Sequence, residues 1–257
     1  MAEQPPPRER IFNVPAVVLV LLAVIGAVHA FLVLVLDSRQ TTEFLLLFAF
    51  IPLRYDPSII SVAVWPGGYA ADVWTFVTYA FIHGDLNHLF LNAIWLLAFG
   101  SPVARRFGTW RFLVFFAVTA AAGAAAHLAT HFGEVLPMVG ASAAISGAMA
   151  ASMRFAFQPG GPLGLWGGRE EAYRVPAVPL SVALRDPRVL AFLLVWFGIN
   201  ALFALNPFRV SGLEHAIAWQ AHIGGFLAGL LAFAWFDPVP RAAADTGEGP
   251  PAEPTLH

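Results

Sequence analysis

Residues 221–229 read Ala221-His222-Ile223-Gly224-Gly225-Phe226-Leu227-Ala228-Gly229, inside an apolar run over 215–236. A helix needs about 20 apolar residues to cross the hydrocarbon of a bilayer, so this run can span. Gly225 and Gly229 form a GxxxG pair, the bare stripe on which two membrane helices approach backbone to backbone. His222 lies three residues before Gly225, on the same helix face. A polar ring where hydrocarbon is expected, beside a stripe that draws a neighbour close, predicts a membrane bundle with chemistry at a helix–helix contact.

The rest of the chain supports a membrane setting. Of its 257 residues, 58% are hydrophobic and 12% charged. Soluble domains carry roughly 25% charged residues, so this chain cannot clothe a water-facing surface. There are no cysteines, which excludes disulfides, thiolate metal sites and cysteine nucleophiles. A net charge of −2 argues against nucleic acid as a partner. Six runs are long enough to span, over 15–36, 86–103, 110–131, 140–157, 189–205 and 215–236. The fold class predicted is an all-α membrane protein, a bundle of six transmembrane helices over 14–236. Charged, Pro-rich tails at 1–13 and 237–257 read as disordered cytosolic arms. With the N-terminus inside, eleven arginines fall on the cytosolic side and three, Arg39, Arg54 and Arg209, outside, so both termini are placed in the cytosol. Arg111 and Arg154, near cytosolic helix ends, are expected to snorkel.

The connection 37–85 is long for a loop and faces outside. Its apolar runs 44–51 and 73–82 are too short to span and predict segments in the interface or partway into the membrane. Trp65, Tyr69, Trp74 and Tyr79 suit the headgroup depth. Residues 159–185 read as a Gly/Pro-rich linker, and no internal repeat is evident.

The predicted spans contain no Asp or Glu, so histidine, asparagine and serine carry what chemistry there is. His88 and Asn92 are four apart on one helix face, and both can donate hydrogen bonds. Ser142 stands in Gly140-Ala141-Ser142-Ala143 at the start of a span, where free backbone N–H groups suit a developing oxyanion. A serine hydroxyl needs a base to take its proton, and imidazole is the natural one near neutral pH. Ser142 and His222 are therefore a candidate dyad, with His88 and Asn92 as oxyanion donors. The plainer readings stay beside this one. Serines in membrane helices most often bond their own backbone, and Ser146 keeps that reading. Gly140, Gly225 and Gly229 are read as helix-packing positions, where a bare backbone lets a neighbour approach closely. His29, His127, His131 and His215 are read as structural, and so is His83. Asp85 and Asn87 read as helix-start residues. Trp95, Phe99, Phe192, Trp196 and Phe197 read as packing or lipid-facing.

Three stretches together carry a resemblance: His83-Gly-Asp-Leu-Asn-His88-Leu-Phe-Leu-Asn92, Gly140-Ala-Ser142-Ala-Ala-Ile-Ser-Gly147 and Ala221-His222-Ile-Gly-Gly225. In this order, on spans two, four and six, the chain resembles the rhomboid family of intramembrane serine proteases over residues 14–236. Ala49-Phe-Ile-Pro52, followed by Trp74, is similar to the family's long first loop. The resemblance implies that Ser142 attacks the scissile carbonyl. His222 would act as base and then acid without a third carboxylate, and His88, Asn92 and the Ser142 N–H would hold the oxyanion. It implies substrates that are single transmembrane segments of membrane proteins within the lipid bilayer, with no metal and no cofactor. It also implies the inner (plasma) membrane, with the active site open to the outer face, and span five as a gate for substrate entry. Three positions depart from the family's pattern: Ala143 where glycine usually follows the nucleophile, Ser146 where an aromatic often lies beneath the histidine, and Thr75 where arginine often follows Trp74.

A second reading is a catalytically silent relative that binds membrane helices, with Ala143 and Ser146 as its support. A third, a proton-coupled transporter or haem bundle using His88 and His222, lacks the intramembrane carboxylates expected of the former. His222 lies seven residues beyond His215, about 10 Å along a helix, so the dyad is expected in a hydrated cavity open to the outer face. The Pro- and Gly-containing loop 206–214 is expected to cover that cavity.

Overall fold

The computed structural model describes residues 14–60, 65–163, 170–205 and 218–240. Its longer elements are helices: α1 Ala16–Leu34, α2 Ser38–Phe48, α3 Gly68–Thr78, α4 Leu86–Phe107, α5 Thr109–Thr130, α6 Ser142–Ser152, α7 Pro187–Leu205 and α8 Trp219–Phe236. Four of them, α1, α4, α5 and α8, are long and apolar enough to cross a membrane. Residues 1–13 and 241–257, the loop expected over 206–214 with Arg209, the start of the span expected from His215, and part of the linker expected at 159–185 lie outside the described residues.

In α1 the side chains of Val18, Leu21, Ile25 and Leu32 are buried, whereas Leu19, Val20, Val33 and Leu34 are exposed. The spacing of three, four and seven turns one stripe to the protein and leaves an equally apolar one outward, as lipid requires. α4 contains a single wider turn, Leu96–Gly100, within an otherwise regular helix. Its start is capped by Asp85, whose carboxylate accepts from the His88 N–H at 2.9 Å.

The centre of the bundle is α6. A span over 140–157 is expected from hydropathy; the helix is 11 residues long and buried along residues 143–152. A helix that touches protein on every side need not match the thickness of the lipid. Small residues make that enclosure possible. A Cβ at Gly225 of α8 would collide with the Ala143 carbonyl, and one at Gly229 with the Gly147 backbone. A Cβ at Gly147 itself would collide with Thr119 of α5. Gly224 faces α5 in the same way, against Ala126 and the Ala122 carbonyl. The GxxxG face thus seats α8 on α6, and the neighbouring glycine seats it on α5.

The first loop packs closely on the bundle. Phe50, Ile51, Ala80 and Ile82 are buried against protein, and Leu32, Ala49 and Ile82 form a small apolar cluster with Phe44, Leu45, Phe48 and Val139 around it. Tyr79, expected at headgroup depth, is buried, and its hydroxyl donates to the Ala120 carbonyl at 2.9 Å. Tyr69 is exposed. Arg54, expected only as an outside charge, is a fully buried anchor. Its guanidinium donates to the Leu46 and Pro66 carbonyls, pairs with Asp72 at 3.2 Å and lies over the Trp65 ring. Trp74 donates to the Leu47 carbonyl at 2.9 Å, Tyr55 and Thr75 bond at 2.9 Å, and Thr78 donates to the Phe48 carbonyl at 2.6 Å. Phe50 and Met138 exchange backbone hydrogen bonds, tying this loop to the strand-like stretch that leads into α6.

At the opposite end, Arg106 forms a bidentate pair with Asp237 at 2.8 and 2.9 Å and donates to the Tyr173 and Val175 carbonyls. Asp237, assigned from sequence to the start of the tail, therefore belongs to the folded unit. Arg154 donates to the Val178 carbonyl and lies over Phe233, fastening the segment that follows α6.

Candidate active site

Ser142 opens α6 after a backbone turn that only glycine makes readily: Gly140 has φ +117°. A side chain there would also run into His88, whose Nε2 lies 2.6 Å from the place a Cβ would take. The absent side chain lets the His88 imidazole reach the turn that carries Ser142. The Gly140 N–H donates to the Tyr79 carbonyl at 3.0 Å, and the Ala141 N–H meets His83 Nε2 at a long 3.5 Å. The first-turn N–H groups of α6 have no partner within the helix, an arrangement suited to an anion beside Ser142.

The glycine contacts of α8 on α6 bring His222 to this point. His222 Nε2 and Ser142 Oγ are 2.8 Å apart, hydrogen-bond distance, and both residues are only partly buried. On the other side of the ring, His222 Nδ1 is 2.9 Å from Asn200 Oδ1 of α7. Asn200 is buried, and its Nδ2 donates to the Trp196 carbonyl at 2.8 Å. One turn along the same pair of helices, Trp196 stacks on Phe226 with ring centroids 4.3 Å apart. Asn200 was not singled out from sequence, although it is the one polar side chain between 189 and 205.

On α4, Asn92 is buried one turn after His88 and donates to the His88 carbonyl at 2.9 Å. That uses one of its two amide hydrogens. His83 and His88 meet edge to face at 4.9 Å, and His83 carries the His29 side chain on its own carbonyl at 3.1 Å. Burial holds the His83 imidazole neutral, pushing it down to about 3, with His88 and His29 acting in the same direction. Ser146 donates to the Ser142 carbonyl at 2.8 Å, bonding its own helix.

The rhomboid domain family matches residues 70–237, a segment that holds Ser142, His222, Asn200, His88 and Asn92. The chain belongs to the rhomboid family. Curated proteins named Rhomboid protease GlpG from Yersinia pestis (strain Pestoides F) and Yersinia pseudotuberculosis serotype O:3 are each 26% identical over 183 residues, 70% of this chain and 55% of theirs. The same protein of Yersinia enterocolitica serotype O:8 matches at the same identity and coverage. The chain thus spans little more than half the length of the curated relatives it matches.

Two of this rhomboid's departures from the family pattern have a local accommodation. The methyl of Ala143, where glycine is usual, points at Gly123 of α5, at which a Cβ would lie 2.5 Å from it. Thr75, in place of an arginine, is buried and bonded to Tyr55 and to the Ala71 carbonyl.

Proposed function

We propose that this rhomboid is an intramembrane serine endopeptidase that cleaves transmembrane segments of single-pass membrane proteins. The observation that carries the reading is the 2.8 Å contact between Ser142 Oγ and His222 Nε2. Ser142 Oγ attacks the scissile carbonyl carbon as its proton passes to His222 Nε2. The carbonyl oxygen, now an anion, is held by the Ser142 N–H with Asn92 and His88 beside it. His222 returns the proton to the leaving amine, the C–N bond breaks, and an acyl-Ser142 ester remains. Water, deprotonated by the same imidazole, cleaves the ester and restores the hydroxyl. The hydrolytic water enters from the outer face of the inner membrane, with both termini in the cytosol and the bilayer around the helices.

The test is cleavage of a model transmembrane substrate by purified protein in detergent, for wild type, Ser142→Ala and Ser146→Ala. Cleavage lost only in Ser142→Ala, with all three folded, is the expected result. An inactive wild type whose Ser142 is not labelled by a fluorophosphonate would replace this reading with that of a silent, helix-binding relative.

A further inference from the structure

We infer that Asn200 is a positioning residue that sets the tautomer and plane of His222. The inference rests on the proposed Ser142–His222 chemistry and deepens it. The amide of Asn200 is oriented by the Trp196 carbonyl, which accepts and so must face the Nδ2 amino group at 2.8 Å. The amide oxygen is thereby left facing His222 Nδ1 at 2.9 Å. An amide oxygen only accepts, so Nδ1 carries the ring proton. A neutral imidazole protonated at Nδ1 has its lone pair at Nε2, on the side of Ser142 Oγ. One backbone carbonyl on α7 thus dictates, through two hydrogen bonds, which nitrogen of His222 is free to take the serine proton.

The surroundings explain why the task falls to Asn200. Ser146 is too short to support the ring from below and spends its hydroxyl on the Ser142 carbonyl. Asn200 is buried behind a dyad that is itself partly exposed, so it does not meet substrate. Register is fixed by the Trp196–Phe226 stack: residues 196 and 200 on α7 oppose 226 and 222 on α8, each pair one helical turn apart.

The experiment compares wild type, Asn200→Leu, Asn200→Asp and Ser142→Ala in purified form, measuring kcat and KM for a transmembrane substrate, fluorophosphonate labelling of Ser142 and the thermal unfolding midpoint. Leu matches Asn in size but offers no acceptor. Asp restores the acceptor toward Nδ1 while giving up the amino group that bonds Trp196. The expected result is a fall in kcat and labelling rate of about 10- to 100-fold in Asn200→Leu, with KM within about twofold, and recovery of most of that loss in Asn200→Asp. Asn200→Leu with wild-type kcat and labelling would overturn the inference. So would Asn200→Asp falling as far as Asn200→Leu, whether by lost rate or by failure to fold, since the role would then lie in the bond to Trp196. The parent reading fails separately, by equal cleavage in wild type and Ser142→Ala, or by none in either.

Discussion

The methyl group of Ala143 lies in the space that a side chain at Gly123 would need. The residue after the candidate nucleophile and a glycine on α5 are therefore a size-matched pair. In Gly123→Ala two methyls compete for one site, and the new Cβ also presses on the Ala221 carbonyl beside His222. Overpacking of this kind costs about 1–3 kcal/mol. Gly123→Ala should lower the unfolding midpoint and slow cleavage, and adding Ala143→Gly should recover part of both. Recovery in neither would show that the pair is not coupled.

Ser146 predicts the opposite. Its hydroxyl serves only its own helix backbone, so Ser146→Ala should change stability by no more than about 0.5 kcal/mol and leave cleavage within about twofold. A large loss of activity with intact folding would give this second hydroxyl a part in the chemistry.

Arg54 holds the first loop from inside, and removing it leaves the Asp72 carboxylate and two carbonyls without their donor. Breaking a buried ion pair from one side costs about 3–5 kcal/mol; Asp72 retains some contact with solvent, so the low end applies. Arg54→Met should therefore lower the unfolding midpoint by several degrees. Because the Phe50–Met138 bridge connects this loop to the approach to Gly140, labelling of Ser142 should slow as well. Limited proteolysis between residues 37 and 85 would report the loosening directly.

His83 gives a pH dependence with a definite sign. Its folded-state value of about 3 lies below the ordinary 6.5, so unfolding takes up a proton between those limits. Its contribution to stability is complete above about pH 6.5 and is lost as pH falls toward 3. The unfolding midpoint in detergent should fall through that window, and His83→Gln should reduce the steepness by about one proton. An unchanged slope in the variant would assign the acid sensitivity to other groups.

Much of the architecture is legible in the sequence because lipid imposes simple demands. Apolar length marks α1, α4, α5 and α8, and the Gly225–Gly229 stripe announces a close helix neighbour. His222 stands out because imidazole is costly in hydrocarbon, and Ser142 because it opens a span directly after Gly140-Ala141. What escapes is whatever depends on enclosure by protein. The buried helix α6 is shorter than hydropathy suggests, since its neighbours and not the lipid set its length. Arg54 reads as a topological charge, although its partners lie 8 to 18 residues away in sequence and meet it only after folding. Asn200 has a usable signal, a lone amide in an apolar helix, but its partner His222 is 22 residues distant in sequence.

The helix that carries Asn200 is attached differently from those that carry Ser142 and His222. Ser142 and His222 sit on helices locked together through glycine, backbone against backbone, whereas α7 leans on its neighbours through aromatic rings, Trp196 on Phe226 and Phe192 between Phe99 and Phe157. A displacement of α7 that parts Trp196 from Phe226 also parts Asn200 from His222, because one helical turn bears both contacts. The bond that orients the imidazole is therefore only as durable as an aromatic stack one turn away.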